Sequence, residues 1–250
     1  MTRDSSPASP DQAVTVDVAD GAMPAQLFLP AAGSGPGVVL FQEIFGVTAY
    51  IQSRARDLAD LGYAVLVPES YWRQGSPVLA EGMEGVPDGV AAAGRLDWDQ
   101  AVGDGAAAVR ALRARAEVVG PVALAGFCFG GGLAWCTTAA LSRTGEGPDA
   151  LVVYYGSQVP GNVDLADDIT CPQLQHWGNA DQFIPADGIA AVEAAVTSGT
   201  GDATFCRYDG AGHAFDNPSP GFHDAAASGE AWATTSAWLL ERLPVQRLPV

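Results

Sequence analysis

The chain contains no lysine, and all twelve of its basic residues are arginine. Schiff-base enzymes, pyridoxal-phosphate enzymes anchored through an internal lysine and P-loop nucleotide binders all need that ammonium group, so they are excluded. Positive charge is scarce altogether. Twelve arginines face 29 acidic residues, which leaves a net charge of −17. Nucleic acid and anionic membranes need a basic footprint, so neither is expected as a partner. An anionic substrate would need a local positive patch to overcome that field.

Cysteine is sparse as well, at positions Cys128, Cys136, Cys171 and Cys206. No C-x-x-C pair occurs, so neither a metal site nor a disulfide framework is expected. No run approaches the ~20 apolar residues of a membrane span. Residues 1–12, MTRDSSPASPDQ, lack the apolar stretch of a signal peptide and read as a flexible polar arm. A reducing, cytoplasmic setting is the expectation. The chain has three histidines, His176, His213 and His223, so the search for a base near neutral pH starts there.

What the sequence does have is a large core and a clear alternation. Hydrophobic residues make up 48%, enough to bury one sizeable domain. Strand-like runs fall at 13–18, 25–29, 37–41, 63–67, 122–124, 150–155, 174–177 and 203–208. Several are continuously apolar, as strands covered on both faces are. Helical stripes lie between them: 51–59 with Gly62 as a stop, 98–112 with Asp97 as a cap, 129–141, 186–196 and 230–243. The pattern predicts an α/β domain over 13–243, with a mostly parallel sheet of about eight strands and a tail at 244–250. The turn Ala19-Asp20-Gly21 makes its start antiparallel. The stretch 73–94 shows no clear period and reads either as a lid or pocket wall, or as a surface loop.

The sharpest local feature is Gly126-Phe-Cys128-Phe-Gly130, directly after a strand and before a helix. A nucleophile elbow needs that arrangement: a reactive side chain on a tight turn, with small neighbours so that strand and helix can meet. The turn would leave the Phe129 N–H free at a helix N-terminus. The bland reading is a buried, inert cysteine at a glycine-rich corner. A working elbow needs an acid and then a histidine further along the chain. Asp181 follows the 174–177 run, and His213 follows the 203–208 run. Both lie past strand C-termini, where α/β sheets place ligands. Asp187, Asp209 and Asp216 remain alternative acids, while His176 reads as a core histidine and His223 as solvated. After the 37–41 strand comes Gln42-Glu43-Ile44, whose Ile44 N–H would complete an oxyanion hole. Glu43 is either a proton acceptor or a surface residue.

With these residues in place, the chain resembles the dienelactone hydrolase family of α/β-hydrolases. Gln42-Glu43-Ile44-Phe45-Gly46-Val47 looks like that family's glutamate loop, and Gly126-Phe-Cys128-Phe-Gly-Gly like its cysteine elbow. Asp181-x-x-Ile-Pro185 and Gly212-His213-Ala-Phe215 are similar to its acid and histidine loops, in register from about residue 15 to about 242. The resemblance implies a single-domain α/β-hydrolase fold and a cofactor-independent hydrolase of small esters or lactones. Cys128 would be the nucleophile, His213 the proton carrier and Asp181 its orienting acid, with Glu43 helping to deprotonate the thiol. It also implies that Phe45, Tyr155 and Phe183 line the pocket. Family members hold a substrate carboxylate with two arginines, at positions occupied here by Val86 and Asn217. The leading expectation is therefore an uncharged ester or lactone cleaved by a monomer. One alternative is an anionic dienelactone held by Arg73 or Arg95; another is a binding protein that keeps the pocket without the chemistry.

Overall fold

The computed structural model describes residues 10–198 and 201–245. Of the expected arm, residues 1–9 lie outside the described residues, while Asp11 and Gln12 are already tied to the sheet. The Asp11 N–H donates to the Leu27 carbonyl at 2.9 Å, and Gln12 opens the first strand. Of the expected tail, residues 246–250 also lie outside. The carbonyl of Leu243 accepts from the Tyr63 hydroxyl at 3.1 Å, and Val245 packs against Gly62.

The eight strands are β1 (Gln12–Val18), β2 (Gly21–Phe28), β3 (Gly35–Phe41), β4 (Ala64–Pro68), β5 (Val118–Phe127), β6 (Ala150–Tyr154), β7 (Gln173–Gly178) and β8 (Ala203–Tyr208). They form one sheet in the order β1-β2-β4-β3-β5-β6-β7-β8. The β1–β2 hairpin and the β2–β4 pair are antiparallel, and the other pairs are parallel. Every residue of β4, β6 and β7 is buried, so the middle of the sheet is covered on both faces.

The helices are α1 (Ala49–Asp60), α2 (Val86–Ala93), α3 (Trp98–Arg113), α4 (Phe129–Arg143), α5 (Ala186–Ser198) and α6 (Ala225–Arg242). The Asp97 side chain caps α3 by accepting from the Gln100 N–H at 3.0 Å. α3 packs on α4 at a small-residue contact, where a side chain at Gly105 would meet Thr137 and the Phe41 ring. α1 and α6 are joined by Arg54, which bonds Asp216 and stacks over Trp232 at 4.6 Å. The stretch 73–94 is more ordered than its sequence suggests. It contains α2, preceded by a 3-10 turn at Met83–Gly85. Its apolar residues Val86, Val90 and Ala93 fall at helical spacing, and Pro87 sits in the first turn, where it costs no hydrogen bond.

The loops that leave the C-terminal ends of β3, β5, β7 and β8 converge. They carry Glu43 and Ile44, Cys128, Asp181 and His213 respectively.

Candidate active site

Cys128 sits between β5 and α4 with φ 53° and ψ −119°, a conformation that L-residues rarely adopt. Such a residue costs about 1–3 kcal/mol and persists only where its surroundings fix it. Here they do. Its N–H donates to the Tyr154 carbonyl at 3.0 Å, and its carbonyl accepts from Gly131, Gly132 and Ser157 N–H groups at 3.0–3.2 Å. The flanking glycines are obligatory. A side chain at Gly126 would overlap the Gly130 carbonyl, and one at Gly130 would sit 2.4 Å from the Gln42 carbonyl oxygen. Strand, turn and helix therefore meet backbone to backbone. This is why small residues flank the cysteine at both two-residue offsets.

The sulfur points at His213, with Sγ and Nε2 3.1 Å apart. On the other side of the ring, Nδ1 lies 2.7 Å from Asp181 Oδ2. The second oxygen of Asp181 accepts the N–H groups of Phe183 and Ile184, each at 2.8 Å. That carboxylate is fully buried, so its position is set by its three hydrogen-bond partners rather than by solvent. Gln182 Oε1 accepts the His213 N–H at 3.2 Å and anchors the histidine loop. Burial opposes a charged imidazole, but the Cys128 sulfur and the Asp181 carboxylate outweigh it and raise His213 from 6.5 to about 10. The arrangement favours a proton on the ring.

The alternative acids are used elsewhere. Asp187 lies in the first turn of α5, and Asp209 accepts from the Asn179 amide. Asp216 is bound by Arg54, Tyr50 and Ser228. His176 is sealed between Tyr208 and Thr235, at 2.8 and 2.9 Å, and burial lowers it to about 3. His223 is exposed.

A cavity of about 350 Å³ opens over the sulfur. Cys128, His213, Ile44 and Phe129 lie in its wall, as do Phe45 and Phe183. Phe129 is the first residue of α4, so no preceding turn accepts its N–H within the helix. The Ile44 carbonyl is fixed by the Tyr71 hydroxyl at 3.1 Å. Tyr155, expected on the pocket wall, is fully buried behind the histidine. Its ring lies 5.2 Å from that of His213, and its hydroxyl reaches Tyr50 at 3.3 Å. It follows the end of β6 in a turn with φ 38°, which directs it to the core; the wall beyond it is made by Ser157 and Gln158.

Sequence reasoning left stretch 73–94 open between a lid or pocket wall and a surface loop and missed the helix in it; the far wall comes from α2 and the start of α3. Val86, Val90 and Ala93 face the cavity beside Trp98, whose ring meets Phe129 edge-on at 5.6 Å. Stretch 73–94 is thus a pocket wall. The i, i+4, i+7 spacing from Val86, with Pro87 in the first turn, was the available signal. Among the described residues no arginine lines the cavity. Arg73 is held by Asp20 and Asp104, and Arg95 bonds Gln74.

Glu43 is buried rather than on the surface. Its Oε2 accepts the Asn217 Nδ2–H at 2.6 Å, while Oε1 has no partner. Burial, the dominant influence, raises its pKa from 4.5 to about 8 despite the Asn217 bond. Among the described residues no group of three or more His, Cys, Asp or Glu side chains is arranged to hold a metal ion, and no helix is long and apolar enough to cross a membrane.

The family model for the dienelactone hydrolase family matches residues 23–243. A relative from Methylorubrum extorquens is 33% identical over 242 residues, covering 90% of this chain and 79% of its own length. The carboxymethylenebutenolidase of Pseudomonas putida is 31% identical over 205 residues, covering 80% and 83%. Among solved structures, a dienelactone hydrolase-like promiscuous phosphotriesterase from metagenomic libraries is similar with a TM-score of 0.74 and 28% identity. That match covers 92% of this chain and 98% of the other.

Proposed function

The chain belongs to the dienelactone hydrolase family, and on that premise we propose that it is a cysteine-dependent hydrolase of small, uncharged esters or lactones. One observation carries the reading. Sulfur, imidazole and carboxylate stand in line at 3.1 and 2.7 Å, and the sulfur opens into an apolar cavity.

The Cys128 thiolate attacks the acyl carbon, and the carbonyl oxygen takes up negative charge. The N–H groups of Ile44 and Phe129 hold that oxyanion. His213 Nε2–H then gives its proton to the departing alcohol oxygen as the C–O bond breaks, leaving a thioester on Cys128. A water loses a proton to Nε2 and attacks the thioester. The C–S bond breaks, and carboxylic acid and thiolate are restored. Asp181 holds the ring in the tautomer with Nδ1–H toward its carboxylate and stabilises the imidazolium. No cofactor takes part in these steps.

The substrate class follows from the wall. Phe45, Val86, Trp98, Phe129 and Phe183 supply apolar surface, and among the described residues no guanidinium stands there to receive a carboxylate. The anionic dienelactone reading required Arg73 or Arg95, and both are engaged outside the cavity. The test is a panel of neutral aryl esters and anionic lactones on wild type and Cys128→Ala, with iodoacetamide labelling in parallel. Turnover of the neutral esters, abolished in Cys128→Ala and blocked by alkylation at Cys128, is expected. Ester turnover that survives in Cys128→Ala overturns the mechanism, and tight ligand binding without any turnover restores the non-catalytic reading.

A further inference from the structure

We propose that Glu43 works as an uncharged carboxylic acid, its Oε1–H donating a hydrogen bond to a neutral acceptor oxygen carried beside the acyl carbon of the substrate. The proposal rests on the ester-hydrolase reading and deepens it. It assigns Glu43 a role opposite to that of a base drawing a proton from the thiol.

Three observations converge. First, the partner of Glu43 is neutral. Asn217 Oδ1 accepts the Ser219 N–H at 2.9 Å, so the amide must turn its NH2 toward Glu43 Oε2, at 2.6 Å. Second, Oε1 is buried without a partner although Glu43 lines the cavity beside Ile44. A buried polar atom left unpaired carries an uncompensated desolvation cost, and a ligand that pairs it recovers that cost. Third, Cys128 already meets His213 at 3.1 Å, so the thiol does not need a second base.

The surrounding charges agree. Glu43 is faced by His213 and Asp216 from the loop after β8, Glu81 from the stretch before α2, Tyr50 of α1 and Tyr155 after β6. His213 favours ionisation of Glu43, whereas Glu81 and Asp216 oppose it along with burial, the leading influence, so that Glu43 rises to about 8. Below that pH the carboxyl keeps its proton. Oε2 is occupied as an acceptor, which leaves the proton on Oε1, the buried atom without a partner, in a residue that lines the cavity.

The substrates that read this donor are a matched pair: an aryl butyrate and an aryl methoxyacetate, whose acyl groups differ by an ether oxygen in place of a methylene. Wild type, Glu43→Leu and Glu43→Gln are assayed on both from about pH 6 to about 10. The wild-type preference for methoxyacetate should fall about fivefold as pH rises through the Glu43 transition near 8. Glu43→Leu should lack that increment throughout. Glu43→Gln, which keeps an N–H donor, should restore it and make it independent of pH.

A preference that rises with pH, or one unchanged in Glu43→Leu, overturns the proposal. Infrared titration of wild type against Glu43→Gln reads the proton without turnover. A protonated-carboxyl band at about pH 7 that vanishes above about 9 is expected, and its absence at neutral pH overturns the proposal. Failure of the ester-hydrolase reading looks different: wild type turns over neither ester, or Cys128→Ala retains activity.

Discussion

Replacing Asp181 by Asn tests the site most severely, because the structure dictates how the new side chain must sit. One carboxylate oxygen is committed to the Phe183 and Ile184 N–H groups at 2.8 Å. An asparagine keeps that acceptor, so its NH2 must face His213 Nδ1, where the carboxylate stood at 2.7 Å. Two donors would then compete unless the ring changes tautomer. The ring does change, moving its proton to Nε2 and leaving the imidazolium without its counter-charge. Loss of one charge-assisted hydrogen bond is worth about 3 kcal/mol, or about 150-fold in kcat at 1.36 kcal/mol per factor of ten. The wrong tautomer pushes the loss toward ~10⁴. His213, now raised to about 10 by Cys128 and Asp181 against burial, should drop. A raised histidine holds its proton below its elevated value and loses it above. Lowering that value contracts the pH range of the ion pair from its alkaline side. The assays are kcat on an aryl ester and the pH profile of iodoacetamide alkylation. A kcat within threefold of wild type, with an unmoved alkylation profile, would falsify the proposed role of Asp181.

The remaining predictions concern the scaffold and the pocket charge. Arg54→Met leaves the fully buried Asp216 without its bidentate partner at 2.5–2.7 Å and should destabilise by about 3–5 kcal/mol in urea unfolding. Gly130→Ala puts a methyl 2.4–2.5 Å from two backbone carbonyl oxygens at the end of β3. It should cost about 3 kcal/mol and displace the elbow, visible as a lower Tm with reduced ester turnover. Val86→Arg places a cation in the cavity wall. It should raise kcat/KM for an anionic lactone relative to a neutral ester about tenfold, read on the paired substrates.

The sheet was legible because its strands are continuous apolar runs separated by helical stripes. All eight strand positions hold, with boundaries moved by a few residues. β5 grows most, running from Val118 to Phe127 against the expected 122–124. Cys128, Asp181 and His213 were legible because each follows a strand end, and parallel strands bring those ends together. The α2 helix was not legible in a window rich in glycine and proline, since its stripe is only eight residues long and two of its core contacts are glycine and alanine. Tyr155 was misplaced for a different reason. A motif position fixes which loop a residue occupies, but side-chain direction depends on the turn, and Tyr155 has φ 38°. The Glu43–Asn217 contact joins residues 174 positions apart and has no local signature.

That contact also explains how the site tolerates the chain's charge balance. A net charge of −17 favours bound protons and disfavours bound anions. A cavity with an ionised glutamate and no arginine would add to the repulsion. Asn217 relieves it, because a neutral amide satisfies one oxygen of Glu43 without demanding that the carboxyl ionise. An arginine at that position would do the reverse, fixing a negative Glu43 and supplying a cation for an anionic substrate. The two choices are coupled. Asn217→Arg alone should pull Glu43 down from about 8 toward the ordinary carboxylate range, because a guanidinium would replace a neutral donor. A lowered carboxylate is charged above its new value, so at neutral pH the pocket would gain an ion pair and lose its donor. Turnover of the methoxyacetate should then lose its alkaline decline near pH 8 while its advantage over butyrate disappears. A variant that keeps both would show that Glu43 and residue 217 act independently.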